Sequence, residues 1–442
     1  MPSALLDDLI DWLRIPSIST GGGRPADLDA AADWAAALVR EAGGEVELVR
    51  IDDRPPLVVG ELRAARADAP TVLIYGHYDV QGPEPLDLWH TPPFEPTVRG
   101  GRVYARGAAD DKGNFLPLLR AACELAREGA LPVHVRVLVE GEEETGSAGC
   151  VQWLAADRRG ADAAIVFDST MVDEQTPAIT IGLRGIVQLG ISVRVGARDL
   201  HSGLYGGSVQ NALHALHGML AAVMPGPDGR LREELLGGIE PPAAAELASW
   251  ERLPTGERVL AEIGARELYP GAAAEFYLRT GADASLDVNM IAGGADRTVV
   301  PANARATLSM RLAPRQRANA IRPLLERLLR DAAPPGAEVE IAHHCGDPAL
   351  FSADEPAIRL AGTAIERACG VAPALVRIGG SIPIVAELAA KGIPTIVTGF
   401  VLPDDAFHAP NESFSLRSLG LAEWAARELL LQMAQLPQER RS

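Results

Sequence analysis

The fold class that this sequence predicts is α/β: a mostly parallel sheet flanked by helices, with a ferredoxin-like α+β domain inserted into it. Three observations predict it. Strand-like apolar runs alternate with helix-like segments through residues 1–184, residues 185–347 follow the order β-α-β-β-α-β, and the first rhythm returns over 348–442. Interruption and return are the mark of one domain inserted into another.

Leu5, Leu6, Leu9, Ile10 and Leu13 recur at helical spacing among Asp7, Asp8 and Asp11, an amphipathic helix that ends near Pro16. An Ala-rich helix is expected over 29–42 and a strand over 45–51. The apolar run 71–76 stops at Gly76 and reads as a buried strand; 115–127 is helical, and 133–139 and 163–167 are again β-branched runs. In the middle stretch, strands are expected at 186–195, 286–291, 304–312 and 337–342, with helices at 209–223 and 318–331. Residues 225–285, rich in Ala, Glu, Pro and Gly, form a long insertion there. Helices over 355–369, 384–390 and 416–435 and a strand at 395–398 complete the chain, with a polar, frayed tail at 438–442.

The 442 residues provide enough chain for a large core, and 47% hydrophobic with 23% charged residues is a globular composition. A net charge of −18, from 41 basic and 59 acidic residues, argues against nucleic-acid and anionic-membrane partners, which need clustered Lys and Arg. Cys123, Cys150, Cys345 and Cys369 lack CxxC spacing and suit a reducing compartment. Without a signal-peptide pattern or a stretch of about 20 apolar residues, the expected location is cytoplasmic.

Chemistry-bearing residues gather where apolar strands end. His77 and Asp79 follow strand 71–75 and point to one side of an extended segment, suiting a metal ligand with an orienting acid; a surface pair reads equally well. Asp110 and Asp111 head the helix from 115, where either capping or the bridging of two cations explains them. Strand 133–139 runs into Glu140-Gly141-Glu142-Glu143-Glu144. Such a cluster is solvated on a surface loop, but in a crevice only cations or shared protons make it tolerable. Asp168 ends strand 163–167, and His408 lies in a Pro-containing loop before the last helix. Together His77, Asp110, Glu144, Asp168 and His408 make a mixed N/O donor set with one possible bridging carboxylate, the pattern of a two-metal site of the Zn or Mn type.

The segments GHYDV, RGAADDKGN, EGEEETGS, IVFDS and FHAPNE, in this order, resemble the dinuclear metallopeptidase family of carnosinase-like dipeptidases, carboxypeptidase G, acetylornithine deacetylase and succinyl-diaminopimelate desuccinylase. The resemblance covers nearly the whole chain and extends to DLHSG (199–203) and GGSIP (379–383). It implies that 1–184 and 348–442 form the catalytic domain and 185–347 a lid and dimerisation domain. It further implies that His77, Asp110 and Asp168 serve one cation, and that Asp110 bridges to a second completed by Glu144 and His408. Glu143 would be the general base and Asp79 the acid orienting His77. His201 would donate to the developing oxyanion in the partner's site of a homodimer; without the resemblance it reads as a surface histidine. Thr298 and Arg311 resemble lid positions contacting a bound dipeptide, Arg311 pairing a substrate carboxylate unless it is a plain surface arginine. Ser381 could hydrogen-bond substrate and Asn211 could position the oxyanion. His343-His344-Cys345 and His90 read as structural.

The expected activity is therefore hydrolysis of the amide bond of dipeptides or short peptides, using two divalent ions per subunit. Zn is the first choice, with Mn and Co open. The branch is favoured by GLRG (182–185), DLHSGLYGGS (199–208) and GGSIP. An N-acyl-amino-acid deacylase with the same chemistry is the alternative, and a non-catalytic peptide- or metal-binding relative a remote one. Two bound ions would reduce the formal −18 to about −14.

Overall fold

The computed structural model describes residues 4–437, so the expected frayed tail at 438–442 lies outside the described residues. The chain divides into two compact units: Met1–Ile181 with Phe351–Val376 and Pro383–Ser442, and Gly182–Leu350 with Arg377–Ile382.

The first unit is built on a sheet whose strands run in the order Glu45–Val49, Leu57–Leu62, His134–Glu140, Thr71–His77, Ala163–Phe167, Thr395–Thr398, Ala178–Leu183. The four central strands are mutually parallel, and antiparallel pairs flank them. Residues 72–77 and 135–140 are buried without a break, as strands covered on both faces must be. The helices Ala4–Leu13, Pro25–Glu41, Lys112–Arg127, Pro356–Cys369 and Leu416–Met433 bury their apolar faces here. Two glycines permit the closest approaches at the strand ends. A Cβ on Gly76 would lie 2.2 Å from the Phe115 ring, and one on Gly141 would lie 2.3 Å from the Tyr78 ring.

In the second unit, strands Ser285–Gly293, Asn303–Leu312, Gly185–Arg194 and Glu338–Gly346 lie in that spatial order, all antiparallel. With helices Ala212–Ala221 and Ala318–Asp331, this is the 2-3-1-4 order of a ferredoxin-like sandwich. Val187, Leu189, Ile191 and Val193 alternate with exposed neighbours and pack on Leu216 and Leu325 of the two helices. Segment Arg377–Ile382 groups with this unit. The Arg377 guanidinium meets the carboxylate of Glu246, within the long insertion, in a buried two-point contact of 2.5 and 2.9 Å. No helix among the described residues is long and apolar enough to cross a membrane.

Candidate metal centre

Each acid and imidazole of the first unit's cluster leaves the end of a central strand or a loop tied to one. Strand Thr71–His77 carries His77 at its last position, fully buried. The neighbouring strand ends at Glu140 and hands the chain to a short turn, Glu143–Thr145. Asp168 follows Phe167 directly, and the chain at His408 turns with φ of 60°.

These side chains converge. His77 Nε2 lies 3.0 Å from Asp110 Oδ1, and His408 Nε2 lies 2.9 Å from Asp110 Oδ2 and 3.1 Å from Glu144 Oε1. Donor atoms of His77, Asp110 and Asp168 all fall within 4.8 Å of one another, and so do those of Asp110, Glu144 and His408. Asp110 belongs to both triads and turns a different oxygen to each imidazole.

The neighbouring acids have other partners. Asp111 precedes the helix Lys112–Arg127 without capping it through its side chain; its Oδ2 accepts the His77 backbone N–H at 3.3 Å. Capping thus does not explain the Asp110-Asp111 pair. The charge run 140–144 is not a solvated face either. Glu140 accepts the Tyr75 hydroxyl at 2.6 Å, and Glu142 is buried against Arg54 at 2.7 Å. Only Glu143 and Glu144 remain for the centre, with Glu144 Oε2 accepting Gln81 Nε2 at 2.7 Å. Asp79 lies beneath them. Its carboxylate accepts the backbone N–H groups of Glu143 and Glu144, each at 3.2 Å, and the Ser19 hydroxyl at 2.6 Å. His77 Nδ1 is 3.1 Å from the Asp79 carbonyl oxygen and 3.4 Å from its Oδ1.

The electrostatics of this cluster call for cations. Burial, reinforced by the Asp168 carboxylate, pushes Glu143 well above the ordinary carboxylate range. Burial likewise pushes Asp168 up to about 7 against the lowering pull of His77. Burial also acts to raise Asp110, but hydrogen bonds from His408 and His77 outweigh it and hold the carboxyl below its usual range. Hydrogen bonds to Asp110 and then Glu144 raise His408 to about 10. Crowded carboxylates with two imidazoles, all oxygen and nitrogen donors, fit a pair of divalent ions.

The second unit brings other expected residues together in two places. Leu200–His201 pairs with Val299–Val300, and the Ser202 N–H donates to the Thr298 carbonyl at 3.0 Å, so His201 and Thr298 are neighbours. His201 Nδ1 accepts the Gly203 N–H at 3.1 Å, which puts the ring proton on Nε2. Arg311 Nη1 reaches the Ser381 hydroxyl at 3.4 Å, and that hydroxyl donates to the Arg184 carbonyl at 2.6 Å. Asn211 caps the helix Ala212–Ala221, its Oδ1 accepting the Leu213 N–H at 2.9 Å. The helix expected over 209–223 thus begins only at Ala212, with Asn211 outside it as the cap. The parts played by Ser19 and Gln81 were not legible in the sequence, because neither carries a signature beyond its polarity.

An α/β unit with two acid-imidazole triads at its strand ends has the build of a metal-ion centre. Comparison with known proteins makes the class specific: residues 73–431 match Peptidase family M20/M25/M40, and the chain belongs to that family. It is 27% identical to the human Beta-Ala-His dipeptidase over 401 residues, 86% of this chain and 78% of that one. It is 29% identical to a Schizosaccharomyces pombe Cys-Gly metallodipeptidase over 387 residues, 82% and 79% of the two chains. Among solved structures, an M20 family metallo-carboxypeptidase of Sulfolobus solfataricus superposes with a TM-score of 0.88 at 26% identity, covering 98% of this chain and 99% of its own. Human carnosine dipeptidase 1 superposes at 0.80 and 25% identity, covering 98% and 96%. The protein is a peptidase.

Proposed function

We propose that this peptidase hydrolyses dipeptides and short peptides with a free C-terminal carboxylate, using two divalent cations. The observation that supports it most is the sharing of Asp110 between the two triads. His77, Asp110 and Asp168 would hold one ion, and Asp110, Glu144 and His408 the other. Bound there, the ions would supply Lewis acidity toward the scissile carbonyl and a water of lowered pKa. Glu143 takes the water's proton on its carboxylate and delivers it to the leaving nitrogen. Its burial beside Asp168 favours the protonated form and so suits a base that must also act as an acid. Asp79 holds Glu143 and Glu144 by their backbone N–H groups, and it fixes the side of His77 that faces away from the ions.

In this reading the second unit, which contains the expected domain 185–347 together with Arg377–Ile382, is a lid and dimerisation domain. His201 Nε2–H donates to the developing oxyanion in the partner's site of a homodimer, with Asn211 Nδ2 as a further donor. Arg311 takes the substrate carboxylate with Ser381 beside it, and Thr298, next to His201, contacts the bound dipeptide. Zn is the preferred ion, and Mn and Co suit the same donors. The four free thiols suit a reducing, cytoplasmic setting.

The test is hydrolysis of a dipeptide panel beside N-acetyl and N-succinyl amino acids, with protein reconstituted with each metal. Cleavage of dipeptides is expected to dominate. Deacylation alone, with every dipeptide intact, would replace the reading by that of an N-acyl-amino-acid deacylase.

A further inference from the structure

Glu412 stands four residues after His408 and is completely buried. Its two carboxylate oxygens receive four donors from residues 106–110. Oε1 accepts the backbone N–H of Ala109 at 2.8 Å and of Asp110 at 3.0 Å. Oε2 accepts the N–H of Gly107 at 2.9 Å and Arg106 Nη1 at 2.6 Å. Arg106 is 1% exposed, and its Nη2 donates to the Gly82 carbonyl at 3.2 Å. The main chain adds a further tie, Ala105 N–H to the Glu412 carbonyl at 3.1 Å.

The loop of His408 and the loop of Asp110 are therefore joined twice. One joint is the side-chain approach of His408 to Asp110, and the other is the grip of Glu412 on the backbone that carries Asp110. Backbone N–H groups cannot rotate away from their acceptor as side chains can, so saturating them orients the peptide plane and the Cα–Cβ bond beyond it. We infer that Glu412 is a positioning residue for cation binding, clasping the loop so that the Asp110 carboxylate presents one oxygen to each triad. Arg106 balances the charge of the clasp. This rests on the reading of Asp110 as a shared ligand. Partners that orient metal ligands typically govern affinity by about 10–100-fold.

The donor count predicts an asymmetry between the two buried partners. Glu412→Gln keeps one acceptor but turns an NH₂ toward donors, breaking the grip on one pair of N–H groups. Arg106→Gln removes one of the four donors and leaves the three backbone bonds. The experiment uses the full chain, stripped of metal with a chelator, checked for folding by circular dichroism and titrated with Co(II) by calorimetry and visible absorption.

Wild-type protein is expected to take two ions per chain. Glu412→Gln should bind at least one of them about 10–100-fold more weakly with an altered Co(II) spectrum, and Arg106→Gln should lose less. If both variants lose Tm equally yet bind two Co(II) ions with wild-type affinity and spectrum, the pair is a stability element and the inference is overturned. Should Glu412→Gln not fold, Glu412→Asp keeps the charge but is one methylene too short for all four donors. Weaker Co(II) binding by it supports the clasp, and wild-type binding overturns it. A wild-type chain that takes up no cation overturns instead the reading of the centre.

Discussion

In the first unit, His77 and Asp79 are fully buried and Asp110 is gripped by two imidazoles and by Glu412. In the second, His201 and Thr298 are exposed and are brought together by a two-residue strand pairing and one backbone bond beside it, and Arg311 makes a long contact to Ser381. Residues that must hold charges at fixed separations are tied from several directions, because buried carboxylates left alone would shift or protonate. In the function proposed above, the residues that meet the substrate instead carry donors with no partner among the described residues. The Nε2–H of His201 and the Nδ2 of Asn211 are such donors, each on a side chain whose other polar atom is already bonded.

Three substitutions test how far this contrast holds. The largest effect is expected for Glu143→Gln, which leaves the carboxylates and imidazoles of both triads in place. Turnover should fall by about 10²–10⁴-fold while both cations stay bound, as read by steady-state kinetics and metal analysis of the same preparation. Near-normal turnover would remove Glu143 from the proton transfer. In the second unit, Asn211→Asp keeps the oxygen that caps Ala212–Ala221 and deletes the NH₂. Thermal stability should stay within about 0.5 kcal/mol of wild type, while kcat falls by about 10²-fold if the amide donates to the oxyanion. A variant with unchanged kcat makes Asn211 a helix cap and nothing more.

The smallest effect concerns the floor of the first unit. Lys112 is completely buried, its Nζ donating to the carbonyls of Trp12 and Ile15 at 3.1 and 2.8 Å. Burial pulls its pKa down from 10.5 to about 7, against the raising effect of Asp79 and Glu412. The folded value lies below the unfolded one, so this contribution is fully present above pH 10.5 and is lost as pH falls through about 7. Stability of the metal-free protein should therefore gain from Lys112 as pH rises from 7 toward 10. Lys112→Met should flatten that rise in denaturant melts at a series of pH values. An identical slope in the two proteins would mean that the ammonium is not desolvated as described.

Strands Thr71–His77 and His134–Glu140 were legible because a doubly covered strand is an unbroken apolar run, and the acids that end such runs are conspicuous. Strand Leu57–Leu62 was not, since Gly60 and Glu61 interrupt its apolar pattern and Pro55-Pro56 precede it. The helix Lys112–Arg127 begins three residues before its apolar periodicity does. Lys112 and Asn114 are placed there by bonds to Trp12, Ile15 and Phe400, not by propensity. The short helices Ala244–Trp250 and Gly256–Glu262 of the long insertion also escaped the reading, being too brief to show a period.

By itself the sequence determined the order of the long, strongly patterned elements, the ferredoxin-like insertion and the kinds of donor available at the strand ends. The family resemblance had singled out Asp110, Glu143 and Glu144, but only the tertiary structure shows how each acid is paired and so which of them face the centre. Asp110 does and Asp111 does not; Glu143 and Glu144 do, while Glu140 and Glu142 are taken by Tyr75 and Arg54. The reason is physical. A carboxylate's role follows from where its charge can be solvated or paired, and the partners that settle this lie up to 306 positions away along the chain, as Arg106 does from Glu412.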